Sequence, residues 1–289
     1  GLKPMTAIQM ATVNTAEHFG LERELGSITP GRRADLILTS DLVSLPIEQV
    51  FAQGQLVAEA GQLSLDIPPC EYPASAKNTV HLGKVLTAED FEIAAPADVA
   101  QVTARVIGVI ENQAPTRALQ FDLPVQSNIV QMDPANDVCQ IALVERHRGT
   151  GLVVNGFVSG FGYNVPCALA STVAHDSHHM IVVGTNHADM ALAANRLGEV
   201  GGGVTLYSHG RELAMVELSI AGLMSNERAE VVAEKASQLV EAMRECGCSV
   251  NNAYMQHSLL ALVVIPELRI SDVGLIDVTK FAQTPLFVD

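Results

Sequence analysis

The spacing of apolar side chains predicts a helix and a few short strands at the start of the chain. Residues 4–19 carry apolar positions three and four apart, which predicts a helix that ends at Gly20. The apolar run over residues 34–38 predicts a buried strand. Residues 50–57 predict a hairpin with its turn at Gln53-Gly54.

The pattern is interrupted between Asp66 and Lys77, where three prolines break any regular repeat. Proline fixes its own φ angle and donates no backbone hydrogen bond, so such a stretch is typical of a linker or an extended crossover. We assign residues 67–97 to this connection. Within it, residues 79–93 predict a strand, a turn and then a polar stretch.

From residue 98 onward the pattern predicts a β-rich α+β domain, with two helices among many strands. One helix is predicted after Asn186, with Asp189 at the capping-box position and Gly198 as its end. A second is predicted between Ser225 and Gly247. Its apolar stripe comprises Ala229, Val232, Ala233, Ala236, Leu239, Val240 and Met243. The predicted strands are 102–110, 116–121, 138–145, 151–158, 168–174, 180–184, 204–207 and 213–218.

Composition narrows the classes of function. The 289 residues include 32 Asp and Glu against 17 Lys and Arg, for a net charge of -15, and 48% are hydrophobic. This hydrophobic content excludes intrinsic disorder, and the acidic charge disfavours nucleic acid as a partner. No apolar run is long enough for a membrane helix, and the scattered cysteines are typical of reduced thiols in a cytoplasmic protein. Since Gly1 is not an initiator, we expect the chain to be a later part of a longer protein.

The polar cluster 175–179, His-Asp-Ser-His-His, lies between two apolar runs that predict buried strands. An Asp beside a His can orient the imidazole and raise its pKa, which suits proton transfer near neutral pH. Three interpretations remain open: a loop that binds substrate or moves protons, a metal site formed by the three imidazoles, and a solvated hairpin tip. The nearby sequence 145–149 predicts a hairpin shoulder from which Arg146 or His147 could reach a ligand. The residues alone form no complete catalytic constellation.

Two sets of motifs resemble known families. The sequences MTAIQMATVNTAE at 5–17, GSITPGRRADLIL at 26–38 and GQLVAEAG at 54–61 resemble the amidohydrolase superfamily. The sequences VERHRGTG at 144–151, GFVSGFG at 156–162 and TVAHDSH at 172–178 resemble the C-terminal domain of the bacterial adenine deaminase family.

The resemblance implies a domain organisation for the whole chain. Residues 1–20 would be the last helix of an upstream metal-dependent barrel. Residues 21–66 would be a segment of a small β-sandwich, and residues 98–289 would form an adenine deaminase-type C-terminal domain.

The resemblance also implies hydrolysis of adenine to hypoxanthine and ammonia, in purine salvage, by a cytoplasmic homo-oligomer, most simply a dimer. A metal-bound water, with manganese or iron in a two-metal centre, would supply the nucleophile. In the superfamily a His-x-His pair is among the ligands, and this chain has none. We therefore expect the ligands in the N-terminal barrel of the same protein and no metal ligand in this chain.

Together with the polarity of the cluster, the resemblance assigns roles to the cluster and its neighbour. We expect His175, Asp176 and His178 to be catalytic and Ser177, His179 and Glu145 to bind substrate, on a lid over the barrel mouth. The family implies Asn at position 179, where this chain has His. The alternative is a non-catalytic structural or oligomerisation module. In either case the isolated chain is predicted to be inactive.

Overall fold

The computed structural model describes residues 1–96 and 98–288, which form two compact units, Gly1–Cys70 and Glu71–Asp289. Ala97 and Asp289, the last residues of the predicted linker and of the predicted C-terminal domain, lie outside the described residues. Runs of consecutive strands are separated by a few helices, and the described part of the chain forms no closed barrel, which confirms the α+β class. None of the described helices is long and apolar enough to cross a bilayer.

The first unit begins with the predicted helix, α1 (residues 4–18). It consists of an α-helical part, Pro4–Gln9, a π-helical part, Met10–Asn14, and a final turn, Thr15–His18. Gly20 follows with a φ of 70°, and the amide of Leu21 donates to the carbonyl of Ala16. This left-handed glycine ends the helix, as predicted.

A four-stranded antiparallel sheet completes the first unit, with its strands in chain order. The predicted hairpin is confirmed, because Gln53 and Gly54 form its turn with φ values of 52° and 80°. The strands are β1 (Leu36–Leu38), β2 (Gln49–Ala52), β3 (Gln55–Glu59) and β4 (Gln62–Leu63).

The prediction that the 34–38 run is buried was wrong within this structure. Ile37 is 53% exposed and Leu38 is 47% exposed. A short apolar run predicts an extended segment, but it cannot show which of its faces another element covers. The strand itself is confirmed over β1.

In the described part of the second unit, nine strands form one sheet in the order β13-β12-β10-β11-β8-β9-β5-β6-β7. Neighbours are antiparallel except β5 and β9, which are parallel. The strands are β5 (Gln101–Val109), β6 (Thr116–Gln126), β7 (Ile129–Val130), β8 (Val138–Val144), β9 (Val153–Ser159), β10 (Cys167–Ser171), β11 (Met180–Gly184), β12 (Gly203–Ser208) and β13 (Arg211–Glu217). The eight strands predicted in this region are confirmed, with shifted ends.

Both faces of this sheet are covered, and β8 shows why. Its side chains alternate, so that Ile141 and Leu143 join one core cluster while Ala142 and Val144 join another on the opposite face. The helix α2 (His187–Val200) packs on the second face. The helices α3 (Ala229–Glu245) and α4 (Ala253–Leu259) contribute to the first, together with a small sheet of β14 (Leu268–Ser271), β15 (Gly274–Asp277) and β16 (Ala282–Gln283).

The segment 286–288 pairs with the first half of β5. The amide of Arg105 donates to Leu286, and the amide of Val288 donates to Thr103. Only residues 106–108 of β5 pair with β9, so this segment provides hydrogen-bond partners next to the point where the parallel pairing stops. Residues from two distant parts of the chain therefore complete the hydrogen bonding of one strand.

Two details of the predicted helices were wrong. The helix α2 continues past Gly198 and ends before Gly201, whose φ is 82°. Asn186 caps the amide of Asp189, but the carboxylate of Asp189 accepts hydrogen bonds from the amides of His209 and Gly210 instead of closing a capping box. Contacts with other parts of the fold therefore decide where α2 ends and which amides Asp189 binds. The local sequence pattern contains neither kind of information.

Only part of the apolar stripe predicted on the second helix is buried in the structure. In α3, Leu239 and Met243 are buried and Val232 is half-buried, whereas Ala236 and Val240 are exposed. The helix contacts the sheet only along one narrow edge of the stripe. The predicted strand within residues 79–93 was also wrong: the chain there is irregular, bends at Gly83 and then forms a short 3-10 helix, Ala88–Phe91.

Candidate functional site

The histidine loop, residues 172–179, connects the fully buried strands β10 and β11, as the sequence predicted. Thr172 fixes its first residue to the core, since its hydroxyl donates to Gly222 and accepts from the amide of Gly203. The strands therefore place a polar loop at one end of a rigid, apolar sheet. Loops positioned in this way by a scaffold frequently carry function.

Within the loop, the backbone separates the three imidazoles into two places. The amide of His178 donates to Ala174, and that of His175 donates to Ser258. His178 has a φ of 51°, so the turn does not continue as a helix. The ring centroids of His175 and His178 lie 5.6 Å apart, whereas His179 faces another neighbour. The helical spacing required for the metal interpretation is therefore not formed.

His179 lies beside His147, with ring centroids 4.8 Å apart. Its Nε2 is 4.0 Å from Oδ2 of Asp272, and its Nδ1 is buried without a hydrogen-bond partner among the described residues. Nε2 of His147 lies 2.8 Å from the carbonyl oxygen of Ser177. Burial, followed by the neighbouring His147, lowers the pKa of His179, and Asp272 only partly opposes this.

The His178 imidazole has a similar electrostatic environment. Burial lowers its pKa most, the nearby His175 and Arg146 lower it further by electrostatic repulsion, and Asp176 opposes them. Both loop imidazoles therefore favour the neutral form, in which one nitrogen donates a hydrogen bond and the other accepts one. Asp176 and Ser177 are exposed beside them.

Arg146 lies below the loop with only 1% of its surface exposed. Its Nε donates to the His178 carbonyl at 2.6 Å, Nη1 to the Thr79 carbonyl at 3.3 Å and Nη2 to the Ala221 carbonyl at 3.2 Å. Burial lowers the pKa of this guanidinium. The loop is thus attached to a buried cation through its main chain.

Glu145 uses its carboxylate to hold the β8–β9 turn. Oε1 accepts from the amides of His147 and Arg148, and Oε2 accepts from the amide and the hydroxyl of Thr150. Burial alone would raise its pKa, but these hydrogen bonds outweigh burial and hold the pKa of Glu145 at about 2. Both oxygens are therefore already bonded within their own turn.

The segment 79–84 forms another wall of the site. The amide of His81 donates to the carbonyl of Arg146 at 2.8 Å. Gly83 lies so close to the β8–β9 turn that a Cβ there would come within 2.2 Å of the Gly149 carbonyl oxygen. Only glycine permits this approach, and its φ of 79° bends the chain there, so the segment does not continue as a strand.

The structure therefore brings together His175 with His178, and His179 with His147 and Asp272. Sequence reasoning did not select Asp272, because its sequence context in the β14–β15 turn is typical of any turn. It noted Arg146 only as a possible ligand contact. In the described residues no group of three His, Cys, Asp or Glu is arranged to hold a metal ion.

Comparison with known proteins assigns the family. The family described as the adenine deaminase C-terminal domain matches residues 113–282, and the amidohydrolase family matches residues 1–57. The chain belongs to the adenine deaminase C-terminal domain family. Both resemblances expected from the sequence motifs are thereby confirmed.

Curated relatives match along the whole chain. The chain is 74% identical to adenine deaminase 3 of Rhizobium meliloti (strain 1021) over 288 residues, which is 100% of this chain and 48% of that protein. It is 69% identical to an adenine deaminase of Mesorhizobium japonicum and 44% identical to one of Clostridium botulinum, again over 48% of each. The chain therefore spans about half the length of these relatives.

The adenine deaminase C-terminal domain match includes the central parts of the site. The histidine loop, Arg146 and Asp272 all lie within residues 113–282, whereas the wall at 79–84 precedes them. The amidohydrolase match covers α1 and most of the sheet of the first unit. The boundary between the two matches therefore falls in the same part of the chain as the boundary between the two units.

Proposed function

We propose that this chain is the C-terminal portion of an adenine deaminase and that the full-length enzyme hydrolyses adenine to hypoxanthine and ammonia. Family membership and the names of its relatives support this activity. The observation that supports a direct role for this chain is the histidine loop. Its exposed Asp and Ser lie beside imidazoles that favour the neutral form, at the end of a fully buried sheet.

The resemblance implies manganese or iron, as a two-metal centre that would lower the pKa of a bound water. The described residues do not fit such a centre, since they contain no group of three suitable ligands. We therefore propose that the ligands belong to the N-terminal barrel of the same protein. The roles below concern only side chains of this chain.

The proposed roles follow from hydrogen-bonding capacity. Adenine presents ring nitrogens as acceptors and an exocyclic amine as a donor. A neutral imidazole matches both, and an imidazole near its pKa can also move a proton. We assign proton transfer to His175 and His178, with Asp176 orienting and stabilising their protonated forms. Ser177 would bind the purine edge through its exposed hydroxyl.

His179 and Glu145 are assigned to the support of substrate binding. The buried Nδ1 of His179 has no partner among the described residues, so its imidazole retains an unused hydrogen-bonding position. Glu145 would act through the β8–β9 turn that carries His147, because both of its oxygens are bonded there.

The first unit supports the proposal that an N-terminal barrel is the partner. Ile28 is 88% exposed and Phe19 is 68% exposed. An apolar cleft of about 500 Å³, lined by side chains that include Ile8, Phe19 and Ile28, lies within this unit. Apolar surface of this kind marks an interaction site. We propose that the barrel covers it.

We also propose that the enzyme acts in purine salvage in the cytoplasm and assembles as a homodimer, with neither nucleic acid nor membrane as a partner. The family resemblance supports the first three properties, and the net charge of -15 supports the absence of nucleic-acid binding. Light scattering of the full-length protein tests the dimer, and a monomer would contradict it.

Complementation tests the activity. The chain is mixed or co-expressed with the N-terminal half of its own full-length protein, with manganese or iron present, and ammonia release from adenine is measured. We expect activity from the pair and none from this chain alone. Ammonia release by the chain alone would contradict the proposal.

Substitution in the full-length enzyme tests the histidine loop. Asp176→Asn and His178→Asn are expected to lower kcat by at least about 100-fold, the usual contribution of a general acid or base. Metal content is measured in parallel and is expected to stay unchanged. Unchanged turnover with intact metal content would favour the alternative of a structural or oligomerisation module.

A further inference from the structure

Arg146 is a buried cation without a buried anion as its partner. In the described part of the chain no carboxylate oxygen lies within 4.0 Å of its guanidinium. Three main-chain carbonyls solvate it instead, those of His178, Thr79 and Ala221. Burying an arginine in this way is costly unless its hydrogen bonds are satisfied, and here carbonyl dipoles satisfy them.

The three carbonyls belong to three separate loops. Thr79 begins the extended wall segment, His178 lies in the histidine loop, and Ala221 follows β13. The close contact of Gly222 fixes the guanidinium further, since a Cβ at Gly222 would lie 2.9 Å from Nη1. One side chain therefore connects the site to two other loops of the second unit.

We propose that Arg146 is a positioning residue of the histidine loop. It fixes the loop through the His178 carbonyl, and its uncompensated positive charge disfavours a positive charge on the neighbouring imidazoles. The importance of this for catalysis rests on the proposed function, because neutral imidazoles are the forms that would accept a proton or pair with adenine. The proposal about position and charge concerns this chain alone.

The charge effect depends on every group that faces the two imidazoles. Those that face His178 are His175, Asp176, His147 and Arg146, and those that face His179 are His147, Asp272, Glu145 and Arg146. Arg146 is the permanently charged cation common to both sets. The carboxylates in each set act in the opposite direction, and burial together with the cations outweighs them, so that the pKa of each imidazole is lowered.

Arg269 offers a matched control. It is also 1% exposed, and its guanidinium also donates to main-chain carbonyls, those of Leu259, Ala114 and Ile265. None of these carbonyls belongs to the histidine loop, and Arg269 is not among the main charges that act on His178 or His179. Its removal therefore reproduces the loss of a buried arginine without the proposed effect on the loop.

The test is a histidine titration by NMR on the 289-residue chain, without metal or adenine. The His178 and His179 signals are assigned from His178→Gln and His179→Gln spectra. We expect Arg146→Met to raise both apparent pKa values, that of His178 more than that of His179, as removal of a nearby positive charge should do. Arg269→Met should leave them unchanged.

Arg146→Lys separates the two parts of the proposal. It keeps the charge but cannot donate to three carbonyls at once, because an ammonium lacks the planar fork of a guanidinium. We expect the apparent pKa values to stay near those of the unmodified chain, and amide hydrogen exchange at His178 and His179 to become at least about tenfold faster. Arg269→Met should not accelerate exchange at these amides.

Equal titration curves for Arg146→Met and Arg269→Met would overturn the electrostatic part, and unchanged loop exchange in Arg146→Lys would overturn the positioning part. If Arg146→Met does not fold, Arg146→Gln, which removes the charge but keeps a hydrogen-bond donor, takes its place in the same comparison with Arg269→Met, and equal titration curves again contradict the electrostatic part. Because no activity is measured, these results are independent of whether the full-length protein deaminates adenine.

Discussion

The two units bury their apolar residues to different degrees. In the second unit, β8 is buried along its whole length, and helices cover both faces of its sheet. In the first unit, Ile37 and Leu38 of β1 are about half exposed, although their sequence is as apolar. Apolar composition therefore does not by itself form a core. A strand becomes a core strand only when another element covers it.

The largest expected effect lies in the covered unit. Leu143→Ala removes a fully buried side chain from the core and should lower the free energy of unfolding by about 3–4 kcal/mol, through lost burial and the cavity left behind. Urea unfolding followed by tyrosine fluorescence measures this. All four tyrosines lie after residue 70 and the chain has no Trp, so the signal reports on the second unit.

A loss below about 1 kcal/mol for Leu143→Ala would contradict a tightly packed second unit. Val144→Ala, on the other face of the same strand, provides the comparison. It should also destabilise the unit, but by less, because fewer carbon atoms are removed.

The pH dependence of the same unit gives the next effect. His257 in α4 is fully buried, and burial lowers its pKa from 6.5 to about 4. The unfolded chain therefore binds a proton between these pH values that the folded chain does not. The stability that depends on a neutral His257 is fully present above pH 6.5. As the pH approaches 4, it is lost, and the free energy of unfolding falls by about 3 kcal/mol.

Urea unfolding at several pH values between 4 and 6.5 measures this loss. His257→Leu is the control, since it removes the titrating group and should give a shallower dependence on pH in the same range. If the free energy of unfolding falls with pH equally steeply in the two proteins, His257 is not the source of the pH dependence. Other histidines with lowered pKa values contribute equally to the pH dependence of both proteins, so their contributions cancel in this comparison.

A smaller effect is expected in the turn that supports the site. Glu145→Gln keeps the shape of the side chain but replaces one acceptor oxygen by a donating NH2 group that faces amide donors. We expect a loss of about 2 kcal/mol and faster hydrogen exchange at the amide of Thr150. Glu234→Gln is the matched control, because Glu234 is exposed on α3, and its expected loss is near zero.

The smallest expected effect is in the uncovered sheet. Ile37→Ser should change the stability of the isolated chain by less than about 0.5 kcal/mol, because the side chain is already half exposed. Amide hydrogen exchange in β2 measures it. A loss comparable to that of Leu143→Ala would show that β1 is covered and would remove the contrast between the two units.

Much of this fold follows from local patterns. The strands of the second unit and the β2–β3 turn were predictable, because short apolar runs and a Gln-Gly turn are encoded by adjacent residues. The end of α2 was not, since both Gly198 and Gly201 satisfy the local rule for a helix end. The bend at Gly83 is in close contact with Gly149, and no local pattern contains this contact.

The candidate site shows the same limit. The histidine loop was predictable as a polar connection between buried strands. Its partners were not, because Asp272 and the carbonyls of Thr79 and Ala221 come from loops far away in sequence. Main-chain carbonyls, in particular, carry no residue type by which sequence reasoning could recognise them.

The pairing of β5 with residues 286–288 affects the order of events during synthesis. A growing chain exposes β5 long before those residues leave the ribosome, so the Arg105 amide and the Thr103 carbonyl must wait for their partners. Until then, water or a chaperone satisfies them. The sheet of the second unit is therefore completed only once residues 286–288 have emerged, however early its local hairpins form.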